Sequence, residues 1–241
     1  MMGDRTKHIG IVGCTEEGAA LCYRTICREG AAIMGPNRHP EVSLHTFAQG
    51  EYDHHVQAGD WKAVAALMVA SATKLSRAGA ELAICPDNSL HQAYDLVVEK
   101  SPIPWLNMVE EVAVEAKRRG YRCLGLLGTR QMMEGPVYGA KLSQQGIDHR
   151  VPGRDERVHI DHIIFDELVQ GQILETSRTF LARVLAGLGQ RGCNAVVIGC
   201  TKLPLLLRAE RSPLPLLDSK RLLARAALRM AIVSALQWSA E

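Results

Sequence analysis

The sequence predicts an α/β fold: two pseudo-symmetric three-layer α/β domains with mostly parallel sheets and a site in the cleft between them. Short apolar runs that read as buried strands alternate with stretches of helical period, the pattern of βα units. The chain also repeats itself. Residues 77–89 (RAGAELAICPDNS) align without a gap on residues 190–202 (QRGCNAVVIGCTK), with Gly79 over Gly192, Pro86 over Gly199 and Asp87 over Cys200. Residues 7–15 (KHIGIVGCT) lie over 122–131 (RCLGLLGTRQ), with Gly10 over Gly125 and Gly13 over Gly128, and both pairs agree on nearly the same offset. Finally, each half closes an equivalent strand on one reactive side chain, Asp87 or Cys200. That is the carboxyl end, where open α/β sheets place their ligands.

Taken in order, residues 8–13 read as a first buried strand, and 14–18 turn into a helix reaching about Arg28, with the Thr15 hydroxyl as its cap. Neither GxGxxG nor GxxxxGK[ST] is present, so this is no phosphate loop. Residues 41–46 predict a second strand; 47–58 read as polar, with His54 and His55 as a solvated pair. Residues 60–77 carry a helical period through Trp61, Val64, Leu67, Met68, Ala72 and Leu75. Strand 82–85 leads to the Asp87 loop and a helix bearing His91 and Tyr94, and helix 109–119 ends at Gly120. The second half repeats the order: strand 123–127, helix 134–145, a charged solvated loop at 153–156, helices over 159–170 and 177–187, then the strand before Cys200. An apolar helix over 219–236 closes the chain. The domains expected are 1–107 plus 217–241, and 108–216.

The 241 residues are 47% hydrophobic, enough for a sizeable core. A net charge of +2 with no basic stripe argues against nucleic acid as partner. The seven cysteines form no paired metal-ligand spacing, so no metal is expected. No apolar run is long enough to span a membrane, residues 1–8 are polar rather than a signal peptide, and the expected location is the reduced cytoplasm.

Five segments, 9–13, 79–94, 126–142, 160–171 and 195–207 with 215–219, resemble the aspartate/glutamate racemase family, and the likeness covers nearly the whole chain. The family's GCTE-type loop reads Gly199-Cys200-Thr201-Lys202 here, and its PCNTAH site reads Pro86-Asp87-Asn88-Ser89-Leu90-His91. The resemblance implies a two-domain fold, no pyridoxal phosphate or metal, and commonly a homodimer acting on a small carboxylate or amino acid. It also implies two opposed cysteines at the substrate α-carbon, one removing a proton and the other returning one. By match Cys200 is one of them. Asn88, Ser89 and Thr201, with Thr129 on an equivalent loop, would bond the substrate carboxylate, and His91 is a familiar position at a helix start.

Three departures from the family's pattern stand out. Asp87 occupies the first cysteine position, Lys202 replaces the acid after Cys200-Thr201, and Met132 stands where a TRxTME subgroup has a second threonine. Free Asp and Cys titrate near 3.9 and 8.5, a gap of roughly 6 kcal/mol that a balanced racemase must shrink. Burial of the carboxyl and a cation near the thiol would do so. Lys202 could be that cation, could bind a substrate carboxylate, or could face solvent. Cys85 is the competing thiol at the first site, but the gap-free alignment places it in the strand core. The reading favoured is a cofactor-independent racemase or epimerase of a small polar or acidic amino acid, using Asp87 and Cys200. The alternatives are a single-cysteine decarboxylase or cis–trans isomerase on the same scaffold, or a weakly catalytic binding homologue.

Overall fold

A computed structural model of the chain describes residues 6–238. These residues form two compact units, one from Met1–Glu111 with Lys220–Glu241 and the other from Val112–Ser219.

In the first unit, β1 (Ile9–Gly13) lies between β2 (Val42–Thr46) and β3 (Leu82–Ile84), and both pairings are parallel. The strands are joined by α1 (Glu16–Met34), then by α2 (Gln49–Ala58) and α3 (Trp61–Arg77). Alternation sorts the sheet's side chains. Ile9, Ile11, Leu82 and Ile84 pack with Ile26 of α1 and with Leu223, Ala227 and Leu228 of the closing helix Ser219–Trp238. Val12, Ala83 and Cys85 pack on the other face with Val64, Met68, Ala72 and Leu75 of α3. The sheet is thus covered on both faces, as a parallel sheet requires. A 3₁₀ turn (Ser89–Ala93) and α4 (Tyr94–Val98) follow β3, and α5 (Met108–Arg118) carries the chain on.

The second unit is a four-stranded parallel sheet in which β5 (Asp148–Arg150), β4 (Cys123–Leu127), β6 (Ala195–Ile198) and β7 (Leu216–Asp218) lie in that spatial order. Its helices are α6 (Arg130–Glu134), α7 (Pro136–Gln144), α8 (Arg154–His162), which runs on through a π turn (Ile163–Leu168), and α9 (Glu175–Gln190).

The internal repeat holds at the level of single hydrogen bonds. Ahead of β3, the Ala80 N–H donates to the Leu75 carbonyl (3.0 Å) and the Glu81 N–H to the His8 carbonyl (2.8 Å). Ahead of β6, Cys193 donates to Leu188 (3.1 Å) and Asn194 to Cys123 (2.9 Å). Gly79 and Gly192, at φ 98° and 88°, make the same left-handed turn that a β-carbon would strain. The Ala83 N–H reaches the Pro104 carbonyl as Val196 reaches Pro215, each at 2.8 Å. The second unit extends that contact into β7, whereas the first keeps only an isolated bridge between Ala83 and Trp105.

Several elements differ from the sequence expectation: α1 runs on past Arg28 to Met34, and β7 falls outside every expected strand. Residues 49–58 are helical, anchored by Tyr52 at 0% exposure and by the partly buried Val56, too sparse an apolar signal to show a period. The charged run at 153–156 is no loop but the start of α8, where the Glu156 carboxylate accepts from the Gly153 N–H at 2.6 Å. β5 carries no apolar residue and lies at the sheet edge, so no pattern announced it. The helix expected over 134–145 is α7 alone, opened by Pro136; a separate short helix, α6, precedes it and is capped at Gly135, whose N–H donates to Gln131 (2.9 Å).

His45 on β2 has a lowered pKa, first through burial and second through Lys74. Its Nδ1 lies 2.7 Å from Ser71 Oγ and its Nε2 3.1 Å from Lys74 Nζ, with Lys74 over the Phe47 ring. The folded state therefore binds this proton less readily than the unfolded chain. The stability it contributes is present above the ordinary histidine range and is lost as pH falls through it. Between about pH 7 and about pH 5 the melting temperature should fall less steeply in His45→Asn than in the wild type, as thermal melts across that range will read.

Candidate active site

In the first unit the chain leaves β1 toward β2 and then crosses back past β1 to form β3. The carboxyl ends of β1 and β3 therefore lie side by side at a topological switch point, the crevice where open sheets hold ligands. Cys14 and Thr15 follow β1; Cys85, Pro86 and Asp87 follow β3. The two loops approach closely at Gly18 of α1, where a β-carbon would sit 2.8 Å from the Pro86 carbonyl oxygen and 2.9 Å from Thr15 Oγ1. Thr15 caps α1, its hydroxyl accepting from the Gly18 N–H at 3.4 Å.

Asp87 is half-buried and its carboxylate is pinned. Oδ1 accepts from the backbone N–H groups of Ser89 (3.0 Å) and Leu90 (3.3 Å), capping the 3₁₀ turn. This is the local side-chain turn that Asp favours, and both bonds end on the same oxygen. Asn88 is buried and Ser89 half-buried at the head of the turn. His91 is 6% exposed; its Nε2 meets the Cys85 carbonyl at 3.0 Å, and since a carbonyl only accepts, that nitrogen carries the proton. Its ring stacks on Tyr94. Through its bond to Cys85 His91 braces the loop that carries Asp87.

Cys85 is fully buried, and burial followed by the Asp87 charge pushes its thiol well above the usual range, against a bond from the Asp87 backbone that pulls the other way. Cys14 is driven up in the same manner by burial and then by Asp87. Tyr52 completes the cluster: it is fully buried, it too is raised by burial and by Cys85 and Cys14, and its hydroxyl has no hydrogen-bond partner among the described residues. Both shifts favour the neutral thiol. The sequence reading left Cys14 and Tyr52 out of the site. The repeat alignment contained the signal for Cys14, since placing Gly13 over Gly128 sets Cys14 over Thr129.

In the second unit the same crossover sets the ends of β4 and β6 together, fastened by a 2.8 Å bond from the Gly199 N–H to the Leu127 carbonyl. Pro86, the counterpart of Gly199, has no N–H to offer. Cys200, Thr201 and Lys202 are all half-buried, and Lys202 leads into a 3₁₀ turn (Leu203–Leu205). Thr129 faces them from the end of β4 and caps α6, its Oγ1 accepting from Met132 N–H at 3.4 Å. Asp161 of α8 steadies the same turn by accepting from the Arg130 N–H at 2.8 Å. Beneath the Cys200 strand, the buried Ser219 hydroxyl donates to the Ile198 carbonyl at 3.2 Å.

Met132, 2% exposed, fills the space between the two loops. A β-carbon at Gly199 would lie 2.6 Å from its Cε and 2.9 Å from its Sδ; one at Gly128 would lie 3.0 Å from Sδ. The thioether therefore takes the volume that both glycines vacate, directly behind Cys200 and Thr129.

The structure thus gathers the predicted residues into two groups, Asp87, Asn88, Ser89 and His91 in one unit, and Cys200, Thr201, Lys202 and Thr129 in the other. Residues 9–227 match the profile of the Asp/Glu/Hydantoin racemase family. The chain belongs to that family. It is accordingly an enzyme of the isomerase class. A putative Asp/Glu racemase from Yersinia pestis has the same fold with a TM-score of 0.89 and 31% identity, over 94% of this chain and 99% of that one. An aspartate racemase homologue from Pyrococcus horikoshii OT3 superposes with a TM-score of 0.84 at 27% identity, over 93% and 99% of the two chains. The broad specificity amino-acid racemase RacX of Bacillus subtilis (strain 168) is 22% identical over 164 residues, 66% of this chain and 68% of its own. Among the described residues there is no group of three or more His, Cys, Asp or Glu that could hold a metal ion, and no helix long and apolar enough to cross a membrane.

The packing of Met132 gives a measurable coupling. Gly199→Ala should destabilise the protein by about 1–3 kcal/mol through overpacking. In a Met132→Ala background the same change should cost less, leaving a non-zero interaction energy in a denaturant double-mutant cycle.

Proposed function

We propose that this chain is a cofactor-independent racemase or epimerase of a small acidic or otherwise polar amino acid, with Asp87 and Cys200 as its acid/base pair. Membership of the racemase family supports the reaction class. The observation that carries the assignment is that Asp87 and Cys200 occupy equivalent positions in a repeated unit, each at the switch point of its sheet. Inverting a tetrahedral carbon needs one group to take a proton from one face and another to supply one to the opposite face.

In the forward stroke the α-carbon's C–H bond breaks toward the Asp87 carboxylate, and the Cys200 S–H bond breaks toward that carbon from the other face. Turnover leaves Asp87 protonated and Cys200 as a thiolate, the arrangement that the reverse stroke uses. The transient negative charge is shared with the substrate carboxylate, which Asn88, Ser89, Thr201 and Thr129 bond. Lys202 adds positive charge either beside the thiolate or on the ligand. Because Oδ1 of Asp87 is committed to the turn, Oδ2 is the oxygen that takes the proton.

Asp87 is also a turn cap, and the test must separate the two roles. Asparagine keeps an amide oxygen for the Ser89 and Leu90 N–H groups but cannot act as a base. Incubated in deuterium oxide with single-enantiomer amino acids, the wild type should exchange the α-proton and generate the other enantiomer, followed by proton NMR and chiral chromatography. Asp87→Asn and Cys200→Ser should each lose about 100-fold or more while melting near the wild-type temperature. Full exchange by a folded Asp87→Asn protein would reduce Asp87 to a cap and sink the two-residue mechanism. Release of carbon dioxide from a substituted malonate, depending on Cys200 alone, would favour the decarboxylase reading instead.

A further inference from the structure

A second thiol chemistry is built into the other end of the second sheet. Cys123 opens β4, and Cys193 lies just before β6, at the amino ends of the strands whose carboxyl ends carry Thr129 and Cys200. The Cys123 and Cys193 sulfurs are 3.7 Å apart, across a sequence separation of 70. A disulfide needs about 2.05 Å, so a torsional adjustment of the thiols has to supply the rest.

The backbone around the pair is already clamped. The Asn194 side-chain oxygen accepts from the N–H groups of Arg122 (2.8 Å) and Cys123 (2.9 Å). The Asn194 N–H returns a bond to the Cys123 carbonyl (2.9 Å), and the Cys193 N–H is bound to Leu188 (3.1 Å). The two α-carbons cannot drift apart without breaking this set. The pair is also asymmetric. Cys123 is half-buried, open enough for a small oxidant, whereas Cys193 is 5% exposed. Burial and the neighbouring thiol push Cys193 up to about 12, against the charges of Arg150 and Arg191. Those two guanidinium groups are held by the carbonyls of His149 (2.8 Å) and Val151 (3.0 Å), setting positive charge beside the sulfurs, the surroundings in which thiolates form.

We propose that Cys123 and Cys193 are a reversible dithiol–disulfide site, oxidised by hydrogen peroxide and reduced by a small thiol, and separate from the racemase chemistry. The Cys123 thiolate attacks the peroxide; an S–O bond forms, the O–O bond breaks, and the departing hydroxide takes a proton to become water. The Cys193 sulfur then attacks the Cys123 sulfenic acid; the S–S bond forms, the S–O bond breaks, and a second water leaves with the Cys193 proton. Two thiols have been oxidised and one peroxide reduced to two waters. Two equivalents of a small thiol reverse the change and leave as its disulfide. The contact at 3.7 Å makes the second step intramolecular, so it outruns further oxidation of Cys123.

The full chain, first reduced, should be treated with hydrogen peroxide as wild type and as Cys200→Ser, which removes a competing thiol. Peptide mapping without reductant should give a Cys123 peptide joined to a Cys193 peptide, two hydrogens lighter than the sum. The titratable thiols should fall by two, the melting temperature should rise, and dithiothreitol should reverse all three. Cys123→Ser and Cys193→Ala should each abolish the cross-link. Oxidation of Cys123 to sulfinate with no linked peptide in the folded wild type would overturn the proposal, as would a linked peptide that forms only in denaturant. Should either variant fail to fold, the wild-type map decides alone.

Discussion

The parallel pairing of the first and third strands in each unit is the constraint on which the rest depends. A chain that pairs β1 with β2 and then returns to the far side of β1 has to bring two loops to one sheet edge. Whatever residues those loops carry become neighbours. In the first unit they carry Cys14, Thr15 and Asp87; in the second, Thr129 and Cys200. The β4–β6 ladder, extended by the bond from Gly199 to Leu127, holds the second pair in register, and the thioether of Met132 fills the space between the loops. The apolar sheet faces supply the stability, and the crossover supplies the address.

Asp87 meets a folding requirement at the position where the proposed chemistry needs a base. Its Oδ1 meets two turn N–H groups that would otherwise be orphaned, so its orientation is fixed before any ligand arrives. Cys14, Cys85 and Tyr52 are all pushed up in pKa, largely by burial. The two thiols and the phenol near the carboxylate thus favour their neutral forms, and His91 buttresses the Cys85 carbonyl. A cysteine in the same place would offer only a weak sulfur acceptor to those two N–H groups.

Much of this was legible in the chain because a duplicated unit states its rules twice. Gly79 and Gly192 mark the same left-handed turn, and the match of Asp87 to Cys200 needed only a gap-free alignment. What escaped the sequence has a common physical cause: the signals were one or two residues each. Tyr52 and the partly buried Val56 are the only apolar anchors of α2 in that core, too few to show a period. β5 is Asp-His-Arg, a strand defined by its neighbour's hydrogen bonds and not by apolar alternation. The start of α8 rests on Glu156 folding back to Gly153, which a charged tetrapeptide conceals. Cys14 is legible only through the repeat, which sets it over Thr129; its neighbourhood with Asp87 depends on which strand lies beside which, and periodicity does not record that.

The first unit is assembled from both ends of the chain, since Leu223, Ala224, Ala227 and Leu228 of the closing helix lie against Ile9, Ile11 and Ile26. During synthesis the amino-terminal sheet therefore keeps one apolar face uncovered until the closing helix emerges, by which point the second unit, which runs to Ser219, has already been made. The order of manufacture is thus the reverse of the order of the sequence: the later half can fold first, and the earlier half is finished last. A ribosome that stalls before the closing helix would leave a sticky, half-clad sheet, the kind of surface that chaperones recognise and that aggregates when they do not.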